Sequence, residues 1–304
     1  MQADVLVLGA GMVGTSVAVH LQKRGKQVVL VDRRAPGEET SYGNGGLVQR
    51  EAVFPHPFPR DLGELRRIAR NRSVDVYYHL SGLPGLARPL FAYWRNSEPR
   101  RYAEITAQWI TLIATCTAEH KALAEEAGST ALLRPVGFLR AYNDTATRDA
   151  DLVKAERARD FGVNSVALTA AELSRMEPHL RTDFVGALHW TDPYAVNDPH
   201  ALTLGYFALF VRLGGHFALG DAATLRRNGA GWRVTAANGS VVEAEEAVIA
   251  LGIWSDGVTK RFGYRPPLFG KRGYHLHFKP QGNAGSTRPV GAKLNRLSGP
   301  YADV

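Results

Sequence analysis

A glycine-rich turn between a predicted strand and a predicted helix is the feature that most constrains the fold of this chain. The apolar residues 5–8 form the strand, and the helix is predicted over residues 12–23. A second apolar strand follows at residues 27–31 and ends at Asp32. The turn has the spacing G-x-G-x-x-G, with its glycines at Gly9, Gly11 and Gly14. A strand, this turn, a helix and a second strand ending in an acid predict the start of a dinucleotide-binding βαβ unit.

Each part of this unit has a physical role in holding a dinucleotide. Gly9 allows the tight turn, Gly11 lets the backbone approach a pyrophosphate, and Gly14 lets the helix pack closely against the sheet. The helix N-terminus offers unpaired N–H groups to the phosphates. Asp32 can accept hydrogen bonds from a ribose 2′-hydroxyl, whereas its charge would repel a 2′-phosphate. The alternative interpretation is a tight turn that binds no ligand.

Length and composition predict a globular protein with two lobes. The chain has 304 residues, more than a single hydrophobic core usually organises. No apolar run is long enough to span a bilayer, and no secretory signal precedes the first strand. The single cysteine, Cys116, excludes an internal disulfide and a multi-cysteine metal site, and we expect it to be a small core residue. These features predict a cytoplasmic protein.

The net charge of +8 favours anionic cofactors, anionic substrates or a membrane surface as partners. The densest cluster of basic residues is formed by Arg60, Arg66, Arg67, Arg70 and Arg72. We expect a solvated basic helix face there; the alternative is a peripheral contact with the inner face of a membrane. Nucleic acid is not expected as a partner, because the sequence carries no supporting motif and no aromatic platform.

The order of the predicted elements indicates a discontinuous nucleotide-binding domain. The pattern of alternating helices and strands occurs near both ends of the first 255 residues, and the middle differs. We therefore expect an α/β fold, in which residues 1–50 and 195–268 form a Rossmann-like domain. A substrate domain of α+β type, with an antiparallel sheet, is expected at residues 51–194 and again at 269–304.

Several finer predictions concern single elements. One amphipathic helix is predicted over residues 102–127, and a strand over residues 216–225, which contains Ala223. Residues 246–251 are predicted to form a fully apolar strand, as in a buried parallel sheet. The dipeptide Asn238-Gly239 predicts a hairpin turn.

A second glycine-rich turn follows the second strand, at residues 40–46. Its three glycines let the backbone approach a flat ligand, because glycine has no side chain to hold it away. The side chains of Ser41 and Asn44 can form hydrogen bonds with such a ligand. The alternative interpretation is a flexible surface turn.

At this point the chain resembles the flavin-dependent amino-acid oxidoreductases of the D-amino-acid oxidase superfamily, and most of all their bacterial D-amino-acid dehydrogenase branch. The resemblance covers nearly the whole chain, with its motifs in the same order and spacing. The motifs that carry it are G-A-G-M-V-G at 9–14, Asp32, T-S-Y-G-N-G-G-L at 40–47, A-V-I-A-L-G-I-W-S at 247–255 and K-R-G-Y-H at 271–275.

The resemblance implies a cofactor that the glycine motif alone does not choose, because the dinucleotide of this family is FAD. It implies that the first glycine turn holds the pyrophosphate and that Asp32 holds the adenosine ribose. Ser41 would lie on the pyrophosphate side, and residues 44–46 beside the isoalloxazine ring. Residues 250–252 would lie close to the cofactor, and the backbone of Ala223 would contact the adenine.

The predicted cofactor-binding positions fall at the first turn, the end of the second strand, the second turn and the returning strand. Met12 and Val13, which begin the first helix, are also expected to pack against the sheet. The full set of predicted positions is Gly9, Gly11, Met12, Val13, Gly14, Asp32, Arg33, Thr40, Ser41, Asn44, Gly45, Gly46, Ala223, Ala250 and Gly252.

The reaction that the resemblance implies is oxidation of the CH–NH bond of a D-amino acid. The α-hydrogen leaves as hydride to the flavin, and the imine hydrolyses to a 2-oxo acid and ammonia. Electrons then pass to a quinone or to oxygen. Tyr274 is the preferred catalytic candidate, as a substrate contact, and Arg272 could pair with a carboxylate. Weaker candidates are His56, Arg50 and Tyr194.

No metal site is expected. His275 and His277 alternate on a predicted strand and so face the same side, but no third ligand has suitable spacing. An NAD-dependent dehydrogenase would fit residues 1–32 but would not explain residues 40–46 or 247–255.

The chain is shorter than members of the family that it resembles. We therefore expect a C-terminal truncation, and the missing part normally supplies more of the substrate lobe and, in many members, the arginine that binds the substrate carboxylate. Two alternatives to a D-amino-acid enzyme stay open. One is an inactive FAD-binding fragment, and the other is an amine oxidoreductase acting on sarcosine, glycine or D-hydroxyproline.

Overall fold

The computed structural model describes residues 1–71, 78–180, 183–268 and 270, and the backbone of 290–293. These residues form two compact units. The described residues of unit 1 lie within 1–46, 120–133 and 196–270, and those of unit 2 within 47–119, 134–195 and 290–293.

The strands in chain order are β1 (Gln2–Leu8), β2 (Val28–Asp32), β3 (Leu47–Val48), β4 (Leu133–Arg134), β5 (Phe138–Tyr142), β6 (Ser165–Thr169), β7 (Gly186–Trp190), β8 (Tyr194–Val196), β9 (His216–Leu219), β10 (Arg226–Asn228), β11 (Gly231–Thr235), β12 (Val241–Ile249) and β13 (Val290–Lys293). The α-helices are α1 (Met12–Lys23), α2 (Leu62–Ala69), α3 (Leu83–Asn96), α4 (Pro99–Ile113), α5 (Cys116–Ala127), α6 (Thr145–Arg159), α7 (Ala170–Met176), α8 (Pro199–Arg212) and α9 (Ser255–Thr259). Short 3-10 helices span Leu80–Gly82, Thr130–Leu132, Ala222–Thr224, Gly252–Trp254 and Lys260–Phe262.

Unit 1 is built on a six-stranded sheet with the order β10-β11-β12-β1-β2-β9. The four strands from β12 to β9 are parallel, with Leu6 of β1 opposite Val29 of β2 and Ala247 of β12. Strands β10 and β11 extend the sheet in antiparallel fashion. The predicted α/β fold, with its strand–helix–strand start, is confirmed.

The apolar runs of β1 and β2 explain why these strands lie at the centre of the sheet. Residues 5–8 and 28–31 are all buried, as expected for parallel strands that are covered on both faces. On one face, Leu6, Leu8 and Val31 pack into a cluster with residues of β11, β12 and the segment around Leu225. Helix α1 packs against α8, and Ala18 and Val19 are buried within α1.

Unit 2 contains a four-stranded sheet with the order β13-β5-β7-β6. Strands β5, β7 and β6 are antiparallel to their neighbours, and β13 is parallel to β5. Alternate residues of β5 face opposite sides: Phe138 and Tyr142 pack with helix α6, while Leu139 and Ala141 pack with Leu173 of α7. A third, small sheet has the order β3-β8-β4.

The single helix predicted over residues 102–127 is wrong, because two helices occupy this stretch. Helix α4 begins after Glu98, whose side chain accepts hydrogen bonds from the first-turn amides, and it ends at Ile113. Helix α5 begins at Cys116, which is half-buried and not the core residue expected. The break lies among the β-branched residues Thr111, Ile113, Thr115 and Thr117, which lower helix propensity.

The strand predicted over residues 216–225 is also too long. Strand β9 ends at Leu219, and Ala223 lies in the 3-10 helix that follows. The carboxylate of Asp221 accepts a hydrogen bond from the Ala223 amide at 2.8 Å, and this local bond turns the chain away from the sheet.

Strand β12 begins earlier than the strand predicted over residues 246–251. It runs continuously from Val241 to Ile249, with Glu245 and Glu246 exposed, and its last residues are only half-buried. The hairpin predicted at Asn238-Gly239 is confirmed between β11 and β12, and Gly239 has a φ of +82°.

The basic cluster near helix α2 is only partly solvated. Arg60 donates hydrogen bonds to the carbonyl oxygens of Ser97 and Trp94, and Arg67 pairs with Glu64 at 2.8 Å. Arg66 and Arg70 are exposed, whereas Arg72 lies outside the described residues. Among the helices that the structure describes, none is long and apolar enough to cross a bilayer.

Candidate cofactor-binding site

The first glycine turn cannot carry side chains at two of its positions. Gly9 has a φ of +108°, and a Cβ atom there would lie 2.5 Å from the carbonyl oxygen of Ala250. A Cβ atom on Gly14 would overlap the carbonyl oxygen of Gly9. The backbone of the turn therefore lies directly against the residue that follows β12. Helix α1 begins within this turn, close to the end of β1.

The amino-terminal end of α1 offers free hydrogen-bond donors. Gly11 is the N-cap and provides no side chain, and the first turn of the helix has no acidic residue. The Met12 amide donates to Ser41 Oγ at 2.9 Å. Over the part of the chain that the structure describes, the amides of Gly11, Val13 and Gly14 have no acceptor. Free amides at the positive end of a helix dipole fit a pyrophosphate.

Asp32 connects the end of β2 to the glycine turn. Its Oδ2 accepts a hydrogen bond from the Ala10 amide at 2.7 Å, and its Oδ1 accepts one from the Arg34 amide at 3.1 Å. An ionised carboxylate has about four acceptor positions, so Asp32 can still accept bonds from a ribose. These two backbone bonds fix the carboxylate beside the turn.

Arg33 and Trp254 form a pair next to Asp32. The Arg33 guanidinium lies 5.1 Å from the centre of the Trp254 ring and pairs with Glu39 at 2.8 Å. Trp254 is 45% exposed, which is unusual for a residue of this size. Trp254 was not among the predicted site residues. An aromatic residue just past the apolar returning strand was the signal that could have identified it.

The second glycine turn uses its polar side chains to hold its own backbone. Ser41 accepts from Met12, and the Asn44 side-chain oxygen accepts from the Gly46 amide at 2.9 Å. Gly46 has a φ of +61°, and its carbonyl oxygen accepts from the Val196 amide at 2.7 Å. The bond from the Met12 amide to Ser41 places the second turn directly against the start of α1.

Ala223 has a backbone that is already bonded within the protein. Its amide donates to Asp221, and its carbonyl oxygen accepts from Arg261 Nη1 at 2.7 Å and from Arg226 Nη1 at 2.9 Å. An adenine contact through the amide would require the bond to Asp221 to break. Its carbonyl oxygen already accepts two bonds, as many as its two lone pairs allow. The predicted adenine contact of Ala223 remains a prediction.

The expectation that Val13 packs against the sheet is wrong. Val13 is 66% exposed, while Met12 is half-buried. The residues of α1 that are buried are Gly14, Thr15, Ala18 and Val19. Val13 is instead at the open end of the helix, on the side away from this buried face.

The structure brings most of the predicted positions together in unit 1. Gly9 lies against Ala250 and Gly14. Met12, in the same turn, is bonded to Ser41, and Asp32 is bonded to the Ala10 amide. Thr40, Gly45 and Gly252 are exposed, and Gly252 has a φ of +54°. The catalytic candidate Tyr274 lies outside the described residues, together with Arg272, His275 and His277. Within the described ranges, no three side chains form a metal-binding group.

Two relatives of known name show which proteins the chain is similar to. It is 30% identical over 282 residues to the D-amino acid dehydrogenase of Xylella fastidiosa strain M12, covering 90% of this chain and 63% of that protein. It is 27% identical over 278 residues to the D-amino-acid oxidase of Bradyrhizobium diazoefficiens, covering 90% of this chain and 65% of that protein. The chain thus spans less than two thirds of the length of these relatives.

A solved structure shares the fold. The crystal structure of glycine oxidase from Geobacillus kaustophilus matches with a TM-score of 0.61 and 19% identity, over 86% of this chain and 58% of that chain. The sequence profile of the family described as FAD dependent oxidoreductase matches residues 4–302. The predicted resemblance and the predicted cofactor, FAD, are confirmed by this match: the chain belongs to the FAD-dependent oxidoreductase family of D-amino-acid oxidase type.

Proposed function

We propose that this chain binds FAD in unit 1 and belongs to an enzyme that oxidises the CH–NH bond of a D-amino acid. The observation that carries the proposal is the set of free amides at the start of α1, with Asp32 fixed beside them by the Ala10 amide at 2.7 Å. The names of the two relatives favour D-amino acids as the substrate class.

The residues of the chain hold the cofactor and do not supply the redox chemistry. The free amides of Gly11, Val13 and Gly14 bind the pyrophosphate, and Asp32 accepts from the ribose hydroxyls. When bound, FAD would supply the two-electron oxidation in which the α-hydrogen of the neutral amine leaves as hydride. The imine that results takes up water and releases ammonia and a 2-oxo acid.

The electron acceptor is a quinone or oxygen, and one surface of unit 2 favours the quinone. Helix α2 has no buried residue, and its exposed Leu62 lies on the same helix as the exposed Arg66, while the exposed Arg70 is the C-cap of this helix. On α3, Phe91 is exposed as well. Exposed apolar and basic side chains together suit a membrane surface with anionic lipids.

This membrane contact can be tested by cosedimentation with lipid vesicles. We expect binding to vesicles that contain anionic lipids, little binding to zwitterionic vesicles, and release by salt. The double substitution Arg66→Gln and Arg70→Gln should weaken the binding, whereas Arg175→Gln, at an exposed site on α7, should not. Equal binding of all three proteins would contradict the proposal.

The activity is tested by mixing the FAD-loaded chain with amino acids in the absence of oxygen. We expect D-amino acids to bleach the visible flavin absorbance, and their L-enantiomers to leave it unchanged. Glycine, sarcosine and D-hydroxyproline form the comparison panel for the alternative substrates. Bound flavin that no member of the panel reduces would contradict the proposed activity and would support an FAD-binding fragment without turnover.

A further inference from the structure

Unit 2 contains a cavity that the predicted flavin-binding residues do not line, because all of those that the structure describes belong to unit 1. The cavity has a volume of about 350 Å³, and its polar lining residues include Arg50, Thr117, Asn164, Thr191, Asp192 and Tyr194. This volume is near the lower limit for ligand pockets, about 300–1,000 Å³. It suits a small ligand.

Arg50 provides a positive charge that no carboxylate of the described residues pairs with. Its Nη2 donates to the carbonyl oxygen of Phe161 at 2.7 Å, while its Nη1 is buried and has no hydrogen-bond partner in the part of the chain that the structure describes. In the described ranges, no carboxylate lies within 4.0 Å of this guanidinium. The neighbouring Glu51 instead accepts from the side chain of Gln49 at 3.1 Å. A half-buried cation without a counter-ion is unfavourable unless an anion approaches it.

Among the described residues, Asp192 is the one carboxylate on the cavity wall, and it is already bonded. Asp192 accepts hydrogen bonds from the Asn164 amide at 2.6 Å, from Asn164 Nδ2 at 3.1 Å and from Thr191 Oγ1 at 3.4 Å. These donors offset its charge. The Asp192 carboxylate is therefore a poor site for a ligand cation. The charge in the cavity without a counter-ion among the described residues is that of Arg50, and this favours an anion as the ligand.

Two hydroxyl groups supplement Arg50. Thr117, in the first turn of α5, and Tyr194, in β8, both line the cavity. Among the described residues, neither hydroxyl takes part in a hydrogen bond. A cation with neutral donors beside it is a common arrangement around carboxylate and phosphate groups.

We propose that this cavity binds a small anion, through the Arg50 guanidinium and the hydroxyls of Thr117 and Tyr194. The shared chemistry is a carboxylate or a phosphate group. The site is formed within unit 2 and includes Arg50 and Tyr194, two of the weaker substrate-contact candidates of the sequence. Its proposed anion binding is argued from the cavity alone and not from the oxidation of D-amino acids.

Isothermal titration of the FAD-loaded chain, at constant ionic strength, tests this proposal with three probes. Sodium acetate and inorganic phosphate represent the two anion classes, and methylammonium represents a cation of similar size. We expect saturable binding of at least one anion and none of methylammonium. Tighter binding of acetate identifies a carboxylate site, and tighter binding of phosphate identifies a phosphate site. An absence of saturable binding for both anions would overturn the proposal.

Variants establish where the anion binds. Arg50→Gln should weaken anion binding by about tenfold or more, as expected for loss of a charge-assisted hydrogen bond. Arg175→Gln removes the same charge from an exposed site on α7 and should leave the affinity unchanged. If Arg50→Gln does not fold, the milder variants Tyr194→Phe and Arg50→Lys test the same site, and each should bind the anion more weakly than the wild type. Wild-type affinity in both of these would overturn the assignment of the site.

Discussion

At the residue scale, Asp32 has two roles that can be separated. Its carboxylate holds the Ala10 and Arg34 amides, and it is the predicted acceptor for the ribose hydroxyls. We expect Asp32→Ala to weaken FAD binding by about 1.5–3 kcal/mol, the range for hydrogen bonds to a charged group. Asp32→Asn keeps an oxygen that can accept from the Ala10 amide. We therefore expect it to weaken FAD binding less than Asp32→Ala, by the contribution of the negative charge. FAD titration followed by flavin fluorescence measures both, and unchanged affinity in Asp32→Ala would exclude the ribose role.

Trp254 gives a spectroscopic signal for the same part of the site. It lies beside Arg33, which follows the residue that is predicted to hold the ribose. We therefore expect FAD binding to quench its fluorescence, and Trp254→Phe to remove most of that quenching. Trp94→Phe is the matched control, because Trp94 of unit 2 is 43% exposed and Trp254 is 45% exposed. Equal quenching in the two variants would show that Trp254 is not near the cofactor.

His120 makes the stability of unit 1 depend on pH. The Tyr206 hydroxyl lies 3.0 Å from His120 Nδ1 and donates to the His120 carbonyl oxygen. Burial lowers the pKa of His120, so the folded state favours the neutral ring. The unfolded chain then binds the proton more readily, and stability falls as pH drops below the ordinary histidine pKa of about 6.5.

The corresponding test compares urea unfolding of wild type and His120→Gln at neutral and mildly acidic pH. The wild type should lose stability on acidification, and the variant should lose less, because the titrating group is gone. His20→Gln, at a half-buried position on α1, is the control and should retain the pH dependence. Parallel curves for wild type and His120→Gln would refute the role of His120.

At the element scale, the turn between β1 and α1 depends on the absence of side chains. A Cβ atom at Gly14 would overlap the Gly9 carbonyl oxygen, so Gly14→Ala must displace α1 from the sheet. We expect a loss of about 1–3 kcal/mol in the free energy of unfolding, together with loss of FAD binding. Gly257→Ala is the control, since Gly257 lies in α9 with open space around it. It should be neutral or gain about 0.5–1 kcal/mol. Equal behaviour of the two variants in thermal unfolding would contradict this account.

The elements that could be predicted from the sequence are those with strong local signals. The βαβ start follows from two apolar runs with three glycines at fixed spacing, and the predicted bounds of α1, residues 12–23, agree with the structure. The division between α4 and α5 was missed because its apolar residues keep helical spacing across the break. The end of β9 depends on one side-chain bond from Asp221, which hydrophobic periodicity does not report.

At the scale of the whole molecule, predictability depends on how far apart in the chain the contacting residues lie. The glycine turns and Asp32 all lie within residues 9–46, so the sequence alone predicted that they lie together. The pairing of Arg33 with Trp254, and the assembly of Arg50 with residues 164–194 around a cavity, join distant segments. No periodic pattern reports such contacts, and they became visible only in the folded chain.

The central claim, that unit 1 of this chain holds FAD, is tested most directly by the absorbance spectrum of the purified protein after gel filtration with added FAD. We predict a visible flavin spectrum that stays with the protein at about one FAD per chain, and its loss in Gly14→Ala. A folded wild-type protein, as judged by circular dichroism, that emerges colourless from the same column would contradict the claim.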